Sequence, residues 1–248
     1  LPNPESALDF CEQFRFLYGN FMGHRNYWYF RKAYFLQSGY DWVCKHGELT
    51  NIKQEVHLLS FFLTRKQAGV GSKKIFEKRF IEMERSQKKM YKNCEKDFAF
   101  NSNNAFFSTK WVPVKFVWLA RIAGGFDPDG NLLNNKKFKE IYSLLCNDLK
   151  RERIVIWFRF NQELEFVTTG LRKNKISITS ISGKDKYEAR EKKQMLFKSG
   201  LCQVLCCQVK CGKFGLDFSK ASTAIYYSNS YDMEERKQSE DRIVHPTK

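Results

Sequence analysis

Two patterns of apolar positions divide the chain. In the first part, apolar residues recur every three or four positions, for example at Leu8, Cys11 and Phe14, and glycines interrupt the pattern. This spacing predicts several short helices up to about residue 63. A basic stretch that we expect to be a linker follows, and residues 74–83 within it are predicted to form a short strand.

Helical spacing returns between residues 83 and 98. Gln87, Met90 and Cys94 share one face of the predicted helix, and we expect that face to lie against a core. The basic residues lie mostly off this face, and the sequence leaves open whether they are solvated or contact phosphates. They are Arg85, Lys88, Lys89 and Lys92.

Three segments follow before the pattern changes. FNSNNAFFSTK is polar and is predicted to be a loop. VPVKFVWLARIAGGF predicts a helix that ends at Gly124-Gly125, because glycine readily adopts the left-handed conformation that closes helices. FDPDGN has the composition of a turn.

Short strands alternate with helices after about residue 134. The predicted strands are RIVIWFRF, KISITSIS, LCQVLCCQV and TAIYYSN, and the helix after the first is expected to stop at Gly170. This alternation predicts a parallel sheet with helical crossovers. Functional loops of such sheets lie at the carboxyl ends of the strands. Here these loops are FRFNQE, SISGKD, VKCGKFGLD and YSNSYD.

The charge of the chain indicates a polyanionic partner. The 248 residues contain 43 Lys and Arg against 27 Asp and Glu, a net charge of +16 that divides equally between residues 1–116 and 117–248. Nucleic acid is the first expectation and an acidic membrane surface the second, while a well-solvated lysine-rich surface is the alternative. The sequence has no apolar run of about 18 residues that could span a membrane.

The N-terminus has neither a signal peptide nor an initiator Met, so we expect a cytoplasmic fragment or processed product. Four of the eight cysteines crowd into GLCQVLCCQVKCG. No CxxC pair occurs there, and the four histidines are distant in sequence, which argues against zinc. We therefore interpret QVLCCQV as a buried strand, and we expect no disulfides.

Several segments follow one another in a recognisable order. In the second part these are RIVIWFRF, ISG, CGKFGLDFSKAS and QSEDRIVHPTK, and in the first part LPNPESALDFCEQFRFLYGNF and FFLTRKQAGV. The later group resembles motif IV, the strand end after it, motif V and motif VI of the second RecA-like lobe of a superfamily 2 helicase of the Snf type. The earlier group resembles the segment after motif III and the inter-lobe linker. The compact members encoded by phages and prophages are the most similar.

The resemblance implies roles for individual residues. Gln238 and Arg242 would face ATP bound on the other lobe, where a guanidinium stabilises charge on the transferring phosphoryl group. Gly212 and Gly215 would allow a tight turn close to phosphates, and Asp217 would couple the nucleotide site to the DNA groove. Without the resemblance, Asp217 could equally be a helix N-cap and Arg242 a surface ion-pair partner. The expected DNA phosphate contacts are Arg159, Ser182, Gly183 and Lys213.

Two features depart from the family pattern. His245 occupies the position of a second motif VI arginine, and a neutral imidazole cannot replace a bidentate guanidinium. The chain also contains no GxxxxGK[ST] phosphate loop and no Asp-Glu pair after one. ATP and Mg²⁺ are therefore expected to bind mainly to an N-terminal RecA-like lobe that lies upstream in the same polypeptide, on a partner, or is absent.

Together these observations predict an α/β fold. A RecA-like helicase lobe 2, a parallel sheet flanked by helices, would span residues 117–248, preceded by a helical subdomain and linker over residues 1–116. The function that the resemblance implies is the C-terminal part of an ATP-dependent double-stranded-DNA translocase, which acts without strand separation in the cytoplasm of a bacterial host. One alternative is a catalytically inactive module that binds DNA or protein. An RNA helicase lobe is disfavoured because QSEDRI departs from Gln-Arg-x-Gly-Arg, and a nuclease because no PD-(D/E)xK or HNH arrangement occurs.

Overall fold

The structure, a computed structural model, describes residues 6–61, 67, 74–102, 105–213 and 216–243, without the side chains of residues 212 and 213. Its contacts divide the chain into two compact units, Leu1–Val70 and Gly71–Lys248. The boundary near residue 116 was inferred from a change in sequence pattern, which is a different criterion, and it stays a prediction.

The first unit combines helices with a β-hairpin. The elements are α1 (Asp9–Tyr18), α2 (Tyr27–Tyr34), β1 (Phe35–Ser38), β2 (Asp41–Cys44) and α3 (Glu48–Leu59), and β1 pairs with β2 antiparallel. Phe14 and Phe21 stack at the centre of its core, with ring centroids 4.9 Å apart. The short helices agree with the sequence pattern. The hairpin was missed because Phe35 is buried while the next three residues are exposed, so no alternation marks the strand.

The second unit begins with α4 (Arg85–Asp97), β3 (Ala99–Ser102), β4 (Ala105–Ser108) and α5 (Val112–Gly124). Gln87 and Cys94 on α4 are buried, as the spacing predicted. Gly125 closes α5 with φ +94°, also as predicted.

Two predictions in this region are wrong. Residues 74–84 form no regular secondary structure, although a strand was expected at 74–83. The polar segment FNSNNAFFSTK is a hairpin rather than a loop, because Phe100 on β3 and Phe107 on β4 face each other with ring centroids 5.2 Å apart. That cross-strand pair, packed against Trp118, stabilises strands too short to show a pattern in sequence.

The rest of the second unit is a parallel sheet with flanking helices, as predicted. Strands β5 (Ile154–Phe158), β6 (Ile178–Ile181), β7 (Val204–Gln208) and β8 (Thr223–Tyr226) lie in the order β6-β7-β5-β8, and all are parallel. The helices are α6 (Lys136–Cys146), α7 (Asn161–Lys173), α8 (Tyr187–Ser199) and α9 (Met233–Asp241). None of the helices in the described ranges is long and apolar enough to cross a membrane.

Alternate residues of the central strand β5 pack on opposite faces of the sheet. Ile154, Ile156 and Phe158 contact the side that carries α6 and α7, whereas Val155 and Trp157 belong to the opposite cluster. All five are fully buried, which explains the unbroken apolar run in the sequence.

The crowded cysteines belong to this core, as the sequence predicted. Cys206 and Cys207 lie next to each other on β7, are fully buried and face opposite sides of the sheet. Burial raises the pKa of the Cys206 thiol to about 12, so the thiol stays protonated at neutral pH. In the described ranges, no three His, Cys, Asp or Glu side chains come together in a way that could hold a metal ion.

Gly170 does not end its helix, contrary to the prediction. Helix α7 continues through it to Lys173. A Cβ at position 170 would lie 2.5 Å from the ring of Phe138 on α6, so the glycine is what allows the two helices to approach. Its role is close packing rather than termination.

Candidate functional site

The carboxyl ends of the four parallel strands form one edge of the sheet. In the sheet register, Ile181 lies opposite Cys207, and Phe158 lies opposite Gln208. The predicted site residues follow these ends closely. Ser182 and Gly183 follow β6, Arg159 follows β5, and Gly212 and Lys213 lie in a 3-10 helix (Val209–Lys213) directly after β7.

In the loop after β6, backbone N–H groups donate hydrogen bonds to side chains. The N–H and Oγ of Ser182 both donate to Oδ2 of Asp185, at 2.8 and 3.4 Å, and the N–H of Gly183 donates to Oε1 of Gln208 at 3.1 Å. Partial burial raises the pKa of Asp185, but hydrogen bonds from Lys193 and Ser182 outweigh it and hold that pKa below its ordinary value. A phosphate that binds these N–H groups must therefore displace Gln208 and Asp185.

Arg159 lies between aromatic rings at the end of β5. Its guanidinium carbon is 4.6 Å from the ring centre of Tyr231 and 5.1 Å from that of Phe160. Its Nη1 is buried and forms no hydrogen bond within the described residues. Its backbone N–H donates to Oγ of Ser228 at 2.9 Å, which joins the ends of β5 and β8.

Glu163 is a buried carboxylate at this edge that the sequence analysis missed. Its Oε2 accepts hydrogen bonds from the hydroxyl of Ser228 and the backbone N–H of Phe160, and the residue is 1% exposed. Burial raises the pKa of Glu163, against the Ser228 hydrogen bond and the positive charges of Lys137 and Arg121. Burial also lowers the pKa of Lys137. Its bond from the Phe160 N–H is one half of a capping box, but the N-cap Phe160 has no side-chain acceptor for the other half, so the sequence carried no complete capping signal for Glu163.

Asp217 lies directly before a turn that follows the 3-10 helix. Its Oδ2 pairs with Nζ of Lys198 at 2.6 Å, and its Oδ1 accepts the N–H of Ser219 at 2.8 Å. Partial burial raises the pKa of Asp217, but the bonds from Lys198 and Ser219 outweigh it and hold the pKa at about 2. Residues 219 and 220 form a turn, so the N-cap alternative for Asp217 is wrong. Gly215 and the side chain of Lys213 lie outside the described residues.

Helix α9 carries the two residues predicted to face the nucleotide. Nε2 of Gln238 donates to Oε1 of Glu234 at 3.0 Å. Arg242 follows the last turn, is half-buried, and accepts a hydrogen bond on its carbonyl from the N–H of Phe218 at 3.1 Å. The hydroxyl groups of Tyr226 and Ser239 lie 2.7 Å apart and join α9 to the end of β8. His245 lies outside the described residues.

Helix α8 links the two loops on one side of the edge. Lys193 binds Asp185 in the loop after β6, at 2.6 Å, whereas Lys198 binds Asp217. The Asp217 segment is in turn joined to Arg242 through Phe218, and α9 packs on the 3-10 helix. Arg159 is separate from this group and belongs with the segment between β8 and α9.

Residues 136–246 match the family model described as "Helicase conserved C-terminal domain". This segment, just under half of the chain, is similar to a helicase C-terminal domain. It contains all four strands of the parallel sheet and every predicted site residue from Arg159 to Arg242. The sheet with its flanking helices has the RecA-like architecture that the sequence predicted.

Two solved structures are similar to parts of the chain. The C-terminal part of the Fun30 ATPase domain aligns with 20% sequence identity and a TM-score of 0.42, over 44% of this chain and 36% of that one. The yeast DEAD-box splicing factor Prp28 aligns with 20% identity and a TM-score of 0.39, over 44% of this chain and 23% of that one. At these TM-scores the two likenesses add nothing to the family match.

Proposed function

We propose that this helicase C-terminal domain belongs to a superfamily 2, Snf-type translocase that moves on double-stranded DNA at the expense of ATP. The family match supports a helicase lobe, and the net charge of +16 supports a polyanionic partner. The observation that carries the proposal is the hydrogen bond from Phe218 to Arg242. It joins the segment proposed to sense DNA, with Asp217, to the helix end proposed to contact the nucleotide.

The residues at the end of α9 suit phosphate oxygens. Arg242 is a permanent cation with five N–H donors, and Gln238 offers an amide N–H₂ group. When bound by an N-terminal lobe, ATP and Mg²⁺ supply the transferable phosphoryl group and the cation that neutralises its charge. Closure of the cleft would bring Arg242 to the phosphates, where its guanidinium stabilises the charge that develops there. Asp232 holds the helix for this role by accepting the N–H groups of Glu234 and Glu235.

DNA phosphates would bind at the carboxyl edge of the sheet. Arg159, Ser182 and Gly183 lie at the ends of β5 and β6, and the proposed contact at Gly183 requires the amide of Gln208 to turn away. Gly212 and Lys213 would complete this surface after β7. Contacts with phosphates fix register on the duplex without reading its sequence, which suits a motor that moves along DNA.

The test is ATP hydrolysis by a polypeptide in which an ATP-binding lobe precedes this chain, with and without duplex DNA. We expect DNA to stimulate turnover and Arg242→Ala to lower it by about 100-fold or more. Lys237→Ala, at an exposed position of the same helix, is the control and should change turnover less than about twofold. DNA binding without any turnover would reject the motor and leave the inactive binding module. Stimulation by RNA instead of duplex DNA would favour an RNA helicase.

A further inference from the structure

Helix α4 carries an exposed basic stripe outside the matched helicase domain. Its members fall at spacings of three and four residues, which places them within an arc of about 100° and along about 16 Å of helix. All five are exposed. The stripe consists of Arg85, Lys88, Lys89, Lys92 and Lys96.

The opposite face of α4 packs against α5 inside the second unit, which also contains the segment that matches the helicase family. Gln87 is buried, and its Nε2 donates to the carbonyl of Ile122 on α5 at 2.5 Å while its Oε1 accepts from the amide of Asn134. Cys94 is fully buried, and Met90 packs against the same core cluster. The basic stripe is therefore presented outward by a helix that cannot rotate.

The stripe forms no ion pair within the part of the protein that the structure describes, although Glu84 and Glu95 flank it at spacings of four and three residues from Lys88 and Lys92. No carboxylate in those ranges lies within ion-pair distance of any of the five side chains. Like charges three and four residues apart repel one another on a helix, and Arg85 lies in the first turn, where the helix dipole disfavours a cation. Lys96 lies in the last turn, where the dipole favours a cation, but the repulsion between neighbouring cations remains and an anionic ligand would relieve it.

We propose that the α4 stripe is a second nucleic-acid contact, which binds the phosphodiester backbone of the DNA that the helicase domain engages. A duplex presents a phosphate about every 3.4 Å along each strand, so about five fall within the 16 Å of the stripe. A membrane surface fits less well, because a membrane-binding helix needs an exposed apolar face and the apolar face of α4 is packed on α5. The proposal rests on the proposed function only in that its ligand is nucleic acid.

Neutralising the stripe tests the proposal without ATP or a second lobe. The variant combines Lys88→Gln, Lys89→Gln, Lys92→Gln and Lys96→Gln in the 248-residue chain, and the probe is a 20-base-pair duplex of mixed sequence, titrated at several salt concentrations. We expect affinity at low salt to fall at least about tenfold, and the slope of log K against log salt to shrink by about 3.

A charge-matched variant at the opposite, amino edge of the sheet is the control. It combines Lys150→Gln, Arg151→Gln, Arg172→Gln and Lys173→Gln, all at exposed positions. Its salt slope should change by less than about 1, since these side chains would lie away from the duplex. A loss equal to that of the stripe variant would overturn the proposal, because net charge alone would then explain binding.

Further readouts separate the alternatives. Four Lys→Arg substitutions in the stripe should keep the affinity within about twofold, because the charge is retained, and circular dichroism should show the Gln variant folded, with an unfolding midpoint no lower than that of the parent chain. If the Gln variant unfolds, Lys89→Gln with Lys92→Gln should still reduce the slope by about 2. An unchanged slope, or loss of binding to phosphatidylserine vesicles with DNA binding intact, overturns the proposal. A parent chain that binds no DNA overturns the DNA partner itself, a result distinct from loss of ATP turnover.

Discussion

The backbone N–H of Phe218 donates a hydrogen bond to the carbonyl oxygen of Arg242 over 3.1 Å. Phe218 is fully buried and packs on Trp157 of the central strand, with ring centroids 5.7 Å apart. The end of α9 is therefore anchored to the core of the sheet and not only to surface contacts. It follows that the position of the Arg242 backbone, from which its side chain extends, depends on how Phe218 packs.

Phe218→Leu tests this dependence. The substitution removes the ring contact with Trp157 and should lower the free energy of unfolding by about 1–2 kcal/mol. If packing positions Arg242, DNA-stimulated ATP turnover by the polypeptide with an ATP-binding lobe should fall at least about fivefold, because small misplacements of a catalytic group have large kinetic effects. Val167→Ala on α7 should cost about as much stability and change turnover less than about twofold. Equal losses in both variants would show that stability alone limits turnover.

Ser228→Ala removes the hydroxyl that joins three elements at the carboxyl edge. This hydroxyl accepts the N–H of Arg159 and donates to Glu163. The N–H of Arg159 and the carboxylate of Glu163 would each lose a hydrogen bond at a partly buried site. We therefore expect urea denaturation to show a free energy of unfolding that is lower by about 1–3 kcal/mol. Ser199→Ala, at an exposed position of α8, should change it by less than about 0.5 kcal/mol. A Ser228 variant as stable as the parent would mean that water replaces the hydroxyl.

Glu163 and Lys137 form a pair of opposite charges whose separate contributions a double-mutant cycle can resolve. Glu163→Gln leaves the half-buried ammonium of Lys137 without its opposing charge, and Lys137→Met removes a positive charge that compensates the buried carboxylate of Glu163. Each single substitution should lower the free energy of unfolding by about 1–3 kcal/mol, and the double variant should lose about 1 kcal/mol less than the sum. Strict additivity in urea denaturation at pH 7 would show that the two charges do not interact.

The sequence predicted the elements whose patterns are local and strong. Strand β5 is a continuous apolar run because it is covered on both faces, and α5 ends at Gly124, followed by Gly125 with positive φ. The β3–β4 hairpin was missed because its stability comes from Phe100 facing Phe107, a contact that no four-residue window reveals. Gly170 was misinterpreted for a similar reason, since the ring that requires a glycine belongs to Phe138, 32 positions earlier.

In the candidate site, too, the sequence predicted some features and not others. The order of motifs and the parallel topology predicted which loops share the carboxyl edge, and the register places Ser182 and Arg159 there. The partners of these residues could not be predicted. The side chain of Gln208 accepts the N–H of Gly183 from 25 positions away in sequence, and the hydroxyl of Ser228 accepts the N–H of Arg159 from 69 positions away. Such contacts depend on how strands are ordered in the sheet, which single-sequence patterns do not specify.

Asp217 gives the chain a pH-dependent contribution to stability. Its folded-state pKa of about 2 lies below the ordinary value of 3.8, because the bonds from Lys198 and Ser219 outweigh partial burial. A carboxyl group with a lowered pKa stabilises the folded protein above its ordinary pKa, and the contribution disappears as the pH falls through the folded-state value. The side chains of Lys198 and Asp217 are 36% and 49% exposed, so solvent screening limits the contribution to about 0.5–1 kcal/mol.

Asp217→Asn should therefore lower the free energy of unfolding by about 0.5–1 kcal/mol at pH 7 and by the same amount at pH 5. At pH 3 the difference from the parent chain should be smaller, because the unfolded parent then binds the proton that the folded Asp217 resists. Urea denaturation at the three pH values measures this. Lys198→Met is the matched control: combined with Asp217→Asn it should cost little more than either change alone, because both remove one ion pair. No difference at any of the three pH values would show that the hydrogen bond from Ser219, which an Asn side chain can also accept, and not the charge of Asp217, sets the stability of this turn. A difference that stays constant down to pH 3 would likewise show that the charge of Asp217 is not its cause.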